Sequence, residues 1–263
     1  MIPIAVFMGV RTDVRVRGQR GWDQRDRENM KTRACVWVVA FGFLAASSFD
    51  SRADFSAFND LAWSTGQWQT AITKYAPGGT TNGVLVSHPG GSASSVRVVV
   101  SGAAGTAVYL ERIPSGSDAD ASFVGKVSCS NGIYWSAGDI TLTFTGLNPA
   151  RQYEFAAFSS RGSTCDLYSN RFTLATLADV SAFLNRSSTG AVVSTSVMSN
   201  DTTRIVGGNL SGFIYKYTAI EPGTDGDMQV RFRPYANPGY STNAYLNAFM
   251  LMEYGGGPVF FVR

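Results

Sequence analysis

Apolar and polar residues alternate along much of this chain. Ile140, Leu142 and Phe144 alternate with Thr141, Thr143 and Thr145, the period-two pattern of a strand with one face in a core. Gly146, Asn148 and Pro149 then turn the chain, and Tyr153–Phe158 leaves as a second, more apolar strand. Asp139–Arg161 therefore predicts two strands and the corner that joins them. Further on, Phe213, Tyr215 and Tyr217 alternate, as do Met228, Val230 and Phe232. Pro222-Gly223 and Asp225-Gly226 lie between these runs and predict an antiparallel pair, Gly212–Ala219 with Asp227–Arg233.

The remaining runs extend the pattern. Phe55, Phe58, Leu61 and Trp63, continued by Thr70–Tyr75, mark the first one or two strands, Gly83–Ser87 is a short apolar run, and Ser95–Val100 is a strand rich in β-branched residues. Ala107–Leu110, Phe123–Cys129, Ile133–Trp135 and Arg171–Ala175 complete the set, with Pro114–Ala121 as a polar loop and Ser130-Asn131-Gly132 as a turn. Leu177–Leu184 is the one stretch where a helical turn competes. Ala244–Met252 is apolar on both faces in its second half, as a strand covered by another layer would be. Many short strands, frequent turns and almost no helical periodicity predict an all-β fold, an antiparallel β-sandwich. A single domain over 54–254 is expected, with 255–263 as a short flexible tail.

Composition agrees with that reading. Hydrophobic residues make up 44% of the 263, enough for a sizeable core, and 28 glycines with only 16% charged residues suit a turn-rich β protein. The net charge of +3 is unevenly placed: residues 1–53 carry 9 Lys/Arg against 5 Asp/Glu, and the rest 13 against 14. A near-neutral body does not suggest a nucleic-acid surface.

The positive excess belongs to a leader. Met30-Lys31-Thr32-Arg33 is a basic start, Ala34–Ala46 is an unbroken apolar run of 13 residues, and Ser51-Arg52-Ala53 offers small residues for cleavage. The pattern is that of a secretory signal peptide over 30–53, too short for a membrane span, so the mature chain is expected outside the cell with no span of its own. Residues 1–29 read as upstream sequence before a true start at Met30, or as a long signal n-region. Export leaves Cys129 and Cys165 as the one possible disulfide, which would contribute about 3–4 kcal/mol by loop closure. Two free, partly buried thiols are the alternative, and the absence of a CxxC pair gives zinc or dithiol chemistry no support.

Little catalytic chemistry is visible. His88 is the only histidine, and it sits beside Pro89 in a glycine loop, where a solvent-facing role is expected. No GxSxG, HExxH or phosphate-loop motif occurs. A glycosidase could still use paired carboxylates, with Asp118, Asp120, Asp139, Glu154, Asp225 and Asp227 as candidates, but no spacing brings two of them together. No catalytic residue is assigned.

The order GLNPARQYEFAAFSSR, RFTLATLADVSAFLNRSS, GFIYKYTAIEPGTDGDMQV and NAYLNAFMLME resembles secreted bacterial jelly-roll domains of the galactose-binding-like, carbohydrate-binding-module type. A second resemblance competes: Leu147-Asn148-Pro149 followed by Tyr153 is similar to the tyrosine corner of fibronectin type III sandwiches, which would make Tyr153 structural. The first resemblance implies a module that needs no cofactor and binds polysaccharide or surface glycan, with a structural calcium in some relatives. Asn59-Asp60 and Asp225-Gly226-Asp227 carry the hard oxygen ligands calcium requires, and plain turn formation is their other reading. Sugar binding calls for exposed aromatic planes with amides nearby. Tyr235, Tyr240 and Asn243 lie in one Pro/Gly loop, and Trp135 and Tyr168 lie in or beside others. The alternative expectation is a structural or adhesive exoprotein that packs on an extracellular partner protein.

Overall fold

The computed structural model describes residues 53–61, 81–102, 106–109, 113–127, 129, 131–161, 170–194, 200–235 and 242–255. Fifteen strands and one short helix are assigned among them: β1 (Ala53–Asp60), β2 (Thr81–Val86), β3 (Ala93–Gly102), β4 (Thr106–Tyr109), α1 (Asp118–Phe123), β5 (Asn131–Trp135), β6 (Ile140–Thr145), β7 (Gln152–Phe158), β8 (Phe172–Ala178), β9 (Val180–Asn185), β10 (Val192–Ser194), β11 (Thr202–Val206), β12 (Ile214–Pro222), β13 (Met228–Pro234), β14 (Ala244–Leu246) and β15 (Ala248–Tyr254). They form a five-stranded sheet in the order β1-β15-β7-β12-β9, a seven-stranded sheet in the order β10-β11-β8-β13-β6-β3-β2, and a small sheet β14-β5-β4. The ladders within these sheets are antiparallel. The fold is an all-β antiparallel sandwich, as the alternation predicts.

The core forms where the inward-facing residues of the two large sheets meet. Val96, Val98 and Val100 of β3, Ile140, Leu142 and Phe144 of β6, and Met228, Val230 and Phe232 of β13 come from the seven-stranded sheet. Tyr153, Phe155 and Ala157 of β7, Tyr215 and Tyr217 of β12, and Phe249 and Leu251 of β15 oppose them. Phe155 lies at the centre, with ring centroids 5.9 Å from Phe144, 6.3 Å from Phe249 and 6.5 Å from Phe232. Such aromatic pairs add about 0.5–1.5 kcal/mol each beyond the area they bury. The two large tyrosines close their polar ends inside: Tyr215 donates to the Thr173 carbonyl at 2.8 Å and Tyr217 to that of Ala175 at 3.1 Å.

Three connections differ from the sequence expectation. The runs around Tyr215 and Val230 do not pair with each other: β12 lies between β7 and β9, whereas β13 lies between β6 and β8, so the turn between them crosses from one sheet to the other. Both runs are buried by alternation, and alternation alone cannot say whether neighbours in sequence share a sheet. Leu177–Leu184 is not helical. It is the end of β8 and the start of β9, separated by Asp179 at φ 58°, and this single left-handed residue moves the chain between sheets. Asn131 and Gly132 belong to β5 and not to a turn.

The fourth difference matters most for function. The polar loop expected over Pro114–Ala121 ends in α1, and Phe123 belongs to that helix and not to a strand. Ser117 caps it, its Oγ accepting the Asp120 N–H at 3.1 Å, while Asp120 Oδ2 accepts the Gly116 N–H at 2.7 Å. Ala119 and Phe123, four positions apart, form its buried face. That face packs on the outer side of the five-stranded sheet with Phe58, Ala156, Phe158, Ile214, Ala248 and Met250 in a second apolar cluster. β7 is thus buried on both sides, which explains why Tyr153–Phe158 reads as a continuous apolar run broken only by Glu154.

Candidate functional site

The outer face of the five-stranded sheet is ordered in rows by register. Asp60, Ala248, Phe158 and Ile214 stand side by side across β1, β15, β7 and β12. Phe58, Met250, Ala156 and Lys216 form the next row, and Ser56, Met252 and Glu154 the one after. The apolar residues of the first two rows cluster with Ala119 and Phe123 of α1. Beside the helix opens a cleft of about 430 Å³, lined by Phe58, Met250 and Lys216 of the second row, by the third row, by His88 and Pro89, and by Ala121, Ser122 and Lys126. This volume falls within the range of small-molecule sites, roughly 300–1,000 Å³.

Each wall is fixed by local bonds. The His88 loop is tied to β1 by the His88 N–H to the Ser56 carbonyl at 2.6 Å and by Ser56 Oγ to the His88 carbonyl at 3.1 Å. His88 is half-buried at the cleft, with its imidazole edge-on to Phe58 at 5.3 Å. Lys126 Nζ donates to the Ala121 and Ser122 carbonyls at 3.1 and 2.9 Å, closing the C-terminal end of α1, and lies 5.2 Å from the Phe58 ring centroid. Burial pulls its pKa below the usual lysine range, and the charge of Lys216 adds to this. On the floor, Lys216 Nζ pairs with Glu154 Oε1 at 2.8 Å, and the other oxygen of Glu154 accepts the Tyr254 hydroxyl at 3.0 Å. The cleft therefore holds two lysines and one carboxylate over an apolar floor of Met250 and Met252.

Trp135, Tyr235, Asn243 and the candidate calcium ligands are not among the residues that line this cleft. Trp135 is 2% exposed and its indole N–H donates to the Gly138 carbonyl at 3.2 Å, so its ring cannot stack on a sugar. Tyr235 is half-buried, edge-on to Phe172 at 6.1 Å, and the Arg204 guanidinium lies 4.5 Å from its ring centroid. Asn243 is half-buried just before β14, and Tyr168 and Tyr240 lie outside the described residues. The proposed calcium ligands do not converge. Asn59 and Asp60 are buried at the end of β1 level with Phe158, while Asp225 and Asp227 follow β12 beyond the Tyr153 end of the same sheet. Asp225 Oδ1 accepts the Asp227 N–H at 3.2 Å, which is the turn-forming role. Asp227 is raised above the usual carboxylate range, first by desolvation and then by Asp225 and Asp179. Among the described residues no group of three or more His, Cys, Asp or Glu is placed to hold a metal.

The expected disulfide is not formed. Cys129 is a free, buried thiol, and Cys165 lies outside the described residues. Its surroundings are occupied by Asn247, which joins β14 to β15: the side-chain amide donates to the Cys129 carbonyl at 3.4 Å and its oxygen accepts the Ser160 N–H at 2.7 Å. The other carboxylates are dispersed: Asp139 pairs with Arg231 at 3.7 Å, and Asp120 is taken up by the helix cap.

Of the cleft residues, the sequence drew attention only to His88 and Glu154. The signal for the cleft was present in the Ser117-x-x-Asp120 cap and in Glu154, the one acidic residue inside an apolar strand. Among the described residues no helix is long and apolar enough to cross a membrane. Comparison with protein-family models, with curated proteins and with solved structures found no match for this chain.

Proposed function

We propose that this chain is a non-catalytic extracellular binding module whose ligand is a sugar unit of a polysaccharide or surface glycan, held in the cleft beside α1. The observation that carries this reading is the change along one sheet face from an apolar floor under the helix to an open recess with Ser56, Ser122, His88, Lys126 and Lys216 around it. Apolar floors with a few converging polar groups are the usual form of small-ligand sites. The apolar leader Ala34–Ala46 supports an extracellular setting. Loop aromatics are a weaker basis, given the burial of Trp135 and the packing around Tyr235.

A test is retention of the full chain on a panel of insoluble polysaccharides and a glycan array, beside Ala121→Trp, which places an indole from the exposed rim of α1 into the recess. Retention by the parent chain and its loss in the variant are expected. Retention unchanged by the variant would move the site elsewhere, and no retention on any glycan would remove the reading.

A second reading, a partner-binding or adhesive sandwich, has one specific observation in its favour. Val192 and Val193 are 47% and 41% exposed on β10, an edge strand of the seven-stranded sheet. Exposed apolar edges invite pairing with another chain. Concentration-dependent association in sedimentation, abolished by Val193→Lys, is what this reading expects.

A further inference from the structure

The charges around the cleft are unequal. Glu154 is the one carboxylate in its lining, and both of its oxygens are occupied, one by Lys216 at 2.8 Å and one by Tyr254 at 3.0 Å. Among the described residues no carboxylate lies within ion-pair distance of Lys126. The residue is half-buried, and two of its donors go to the Ala121 and Ser122 carbonyls, which leaves one N–H and a charge met only by those carbonyls and the Phe58 ring at the cleft wall. A buried or half-buried cation without a counterion is costly, and an arriving anion removes that cost. The same wall offers the Ser122 hydroxyl, and across the cleft no hydrogen bond among the described residues takes up the imidazole nitrogens of His88.

We infer that the cleft selects an acidic sugar, with the carboxylate of a hexuronate unit held between Lys126 and Lys216 and its ring over Met250 and Met252. This rests on the reading of the cleft as a glycan site and narrows it to one class. A neutral sugar would leave the Lys126 charge as it is, whereas a carboxylate gains a charge-assisted hydrogen bond from it. The apolar floor gives the ring face somewhere to rest, and the serine hydroxyls and His88 can meet its hydroxyl groups.

The experiment uses the full chain with polygalacturonate and with the same polymer after reduction of its carboxyl groups, by affinity electrophoresis or calorimetry. Lys126→Gln removes the charge and keeps an N–H donor on a side chain one atom shorter, and its melting temperature is recorded to establish folding. The inference expects binding to polygalacturonate that is at least about tenfold weaker for the reduced polymer and for Lys126→Gln, and that weakens as salt is raised. Equal binding to the acidic and reduced polymers would overturn the inference and leave the glycan-binding reading standing. Polygalacturonate binding indifferent to Lys126→Gln in a folded variant would overturn the assigned position. Binding to neither polymer, nor to any other glycan of the panel, would overturn the inference and the reading together.

Discussion

The Tyr153 hydroxyl accepts the backbone N–H of Asn148 at 2.8 Å across the corner between β6 and β7. It also donates to Glu253 at 2.8 Å, so one buried phenol joins the corner to the last strand of the five-stranded sheet. Tyr153→Phe leaves both partners without it. The expected loss is about 1–3 kcal/mol, seen as a lower urea midpoint with an unchanged denaturant slope. An unchanged midpoint would show that the corner is held by the Leu147 N–H to Gly226 carbonyl bond and core packing alone.

Four tyrosines set the alkaline limit. Burial raises Tyr153, Tyr215, Tyr217 and Tyr254 above the ordinary phenol range, with Glu253 adding to the effect at Tyr153 and Glu154 at Tyr254. Since the folded values lie above the unfolded ones, the unfolded chain releases protons first. Their contribution is complete below about pH 10 and is lost as pH rises through the folded values. Phenolate absorbance from these residues is expected to appear together with loss of the folded circular dichroism signal. Smooth titration of all tyrosines with the fold intact would contradict this.

Cys129 is expected to be inert. Its thiol is raised well above the usual range, first by burial and then by the nearby charge of Asp60, and the thiolate is the reactive form. Alkylation at mildly alkaline pH followed by peptide mapping should leave Cys129 unmodified in the folded protein and label it in denaturant. Prompt labelling without denaturant would place it at the surface.

The Ser117 cap can be tested without touching the cleft lining. Ser117→Ala removes the acceptor for the Asp120 N–H and should cost about 1 kcal/mol. Hydrogen exchange is expected to quicken over Asp118–Phe123 while the β6 and β13 amides keep their protection. Exchange that quickens equally throughout would mean that α1 opens only with the whole domain.

The sandwich was legible because alternation reports burial directly. Ile140, Leu142 and Phe144, and Met228, Val230 and Phe232, point inward as their spacing predicts. The tyrosine corner was legible for the same kind of reason, since Asn148 and Tyr153 are close in sequence and the bond between them is local. Sheet membership was not legible. Whether β12 pairs with β13 depends on which strands arrive from far along the chain, β7 for one and β6 for the other. The cleft was hidden for a related reason: Ser56, His88, Lys126, Glu154, Lys216 and Met250 come from six separated segments. The aromatics misled because a tryptophan beside a turn can lie inside as readily as outside, and Trp135 lies inside.

The left-handed Asp179 between β8 and β9 has a mechanical consequence. One uninterrupted ribbon is hydrogen-bonded into both large layers, with a single residue between the two bonded parts. Shearing one layer over the other would force that backbone out of its conformational well while both ends stay pinned. Sliding is expected to meet resistance at this link, and the floor formed by β15, β7 and β12, whose strands are hydrogen-bonded to one another within one layer, should present the same contour to a visiting molecule before and after it arrives.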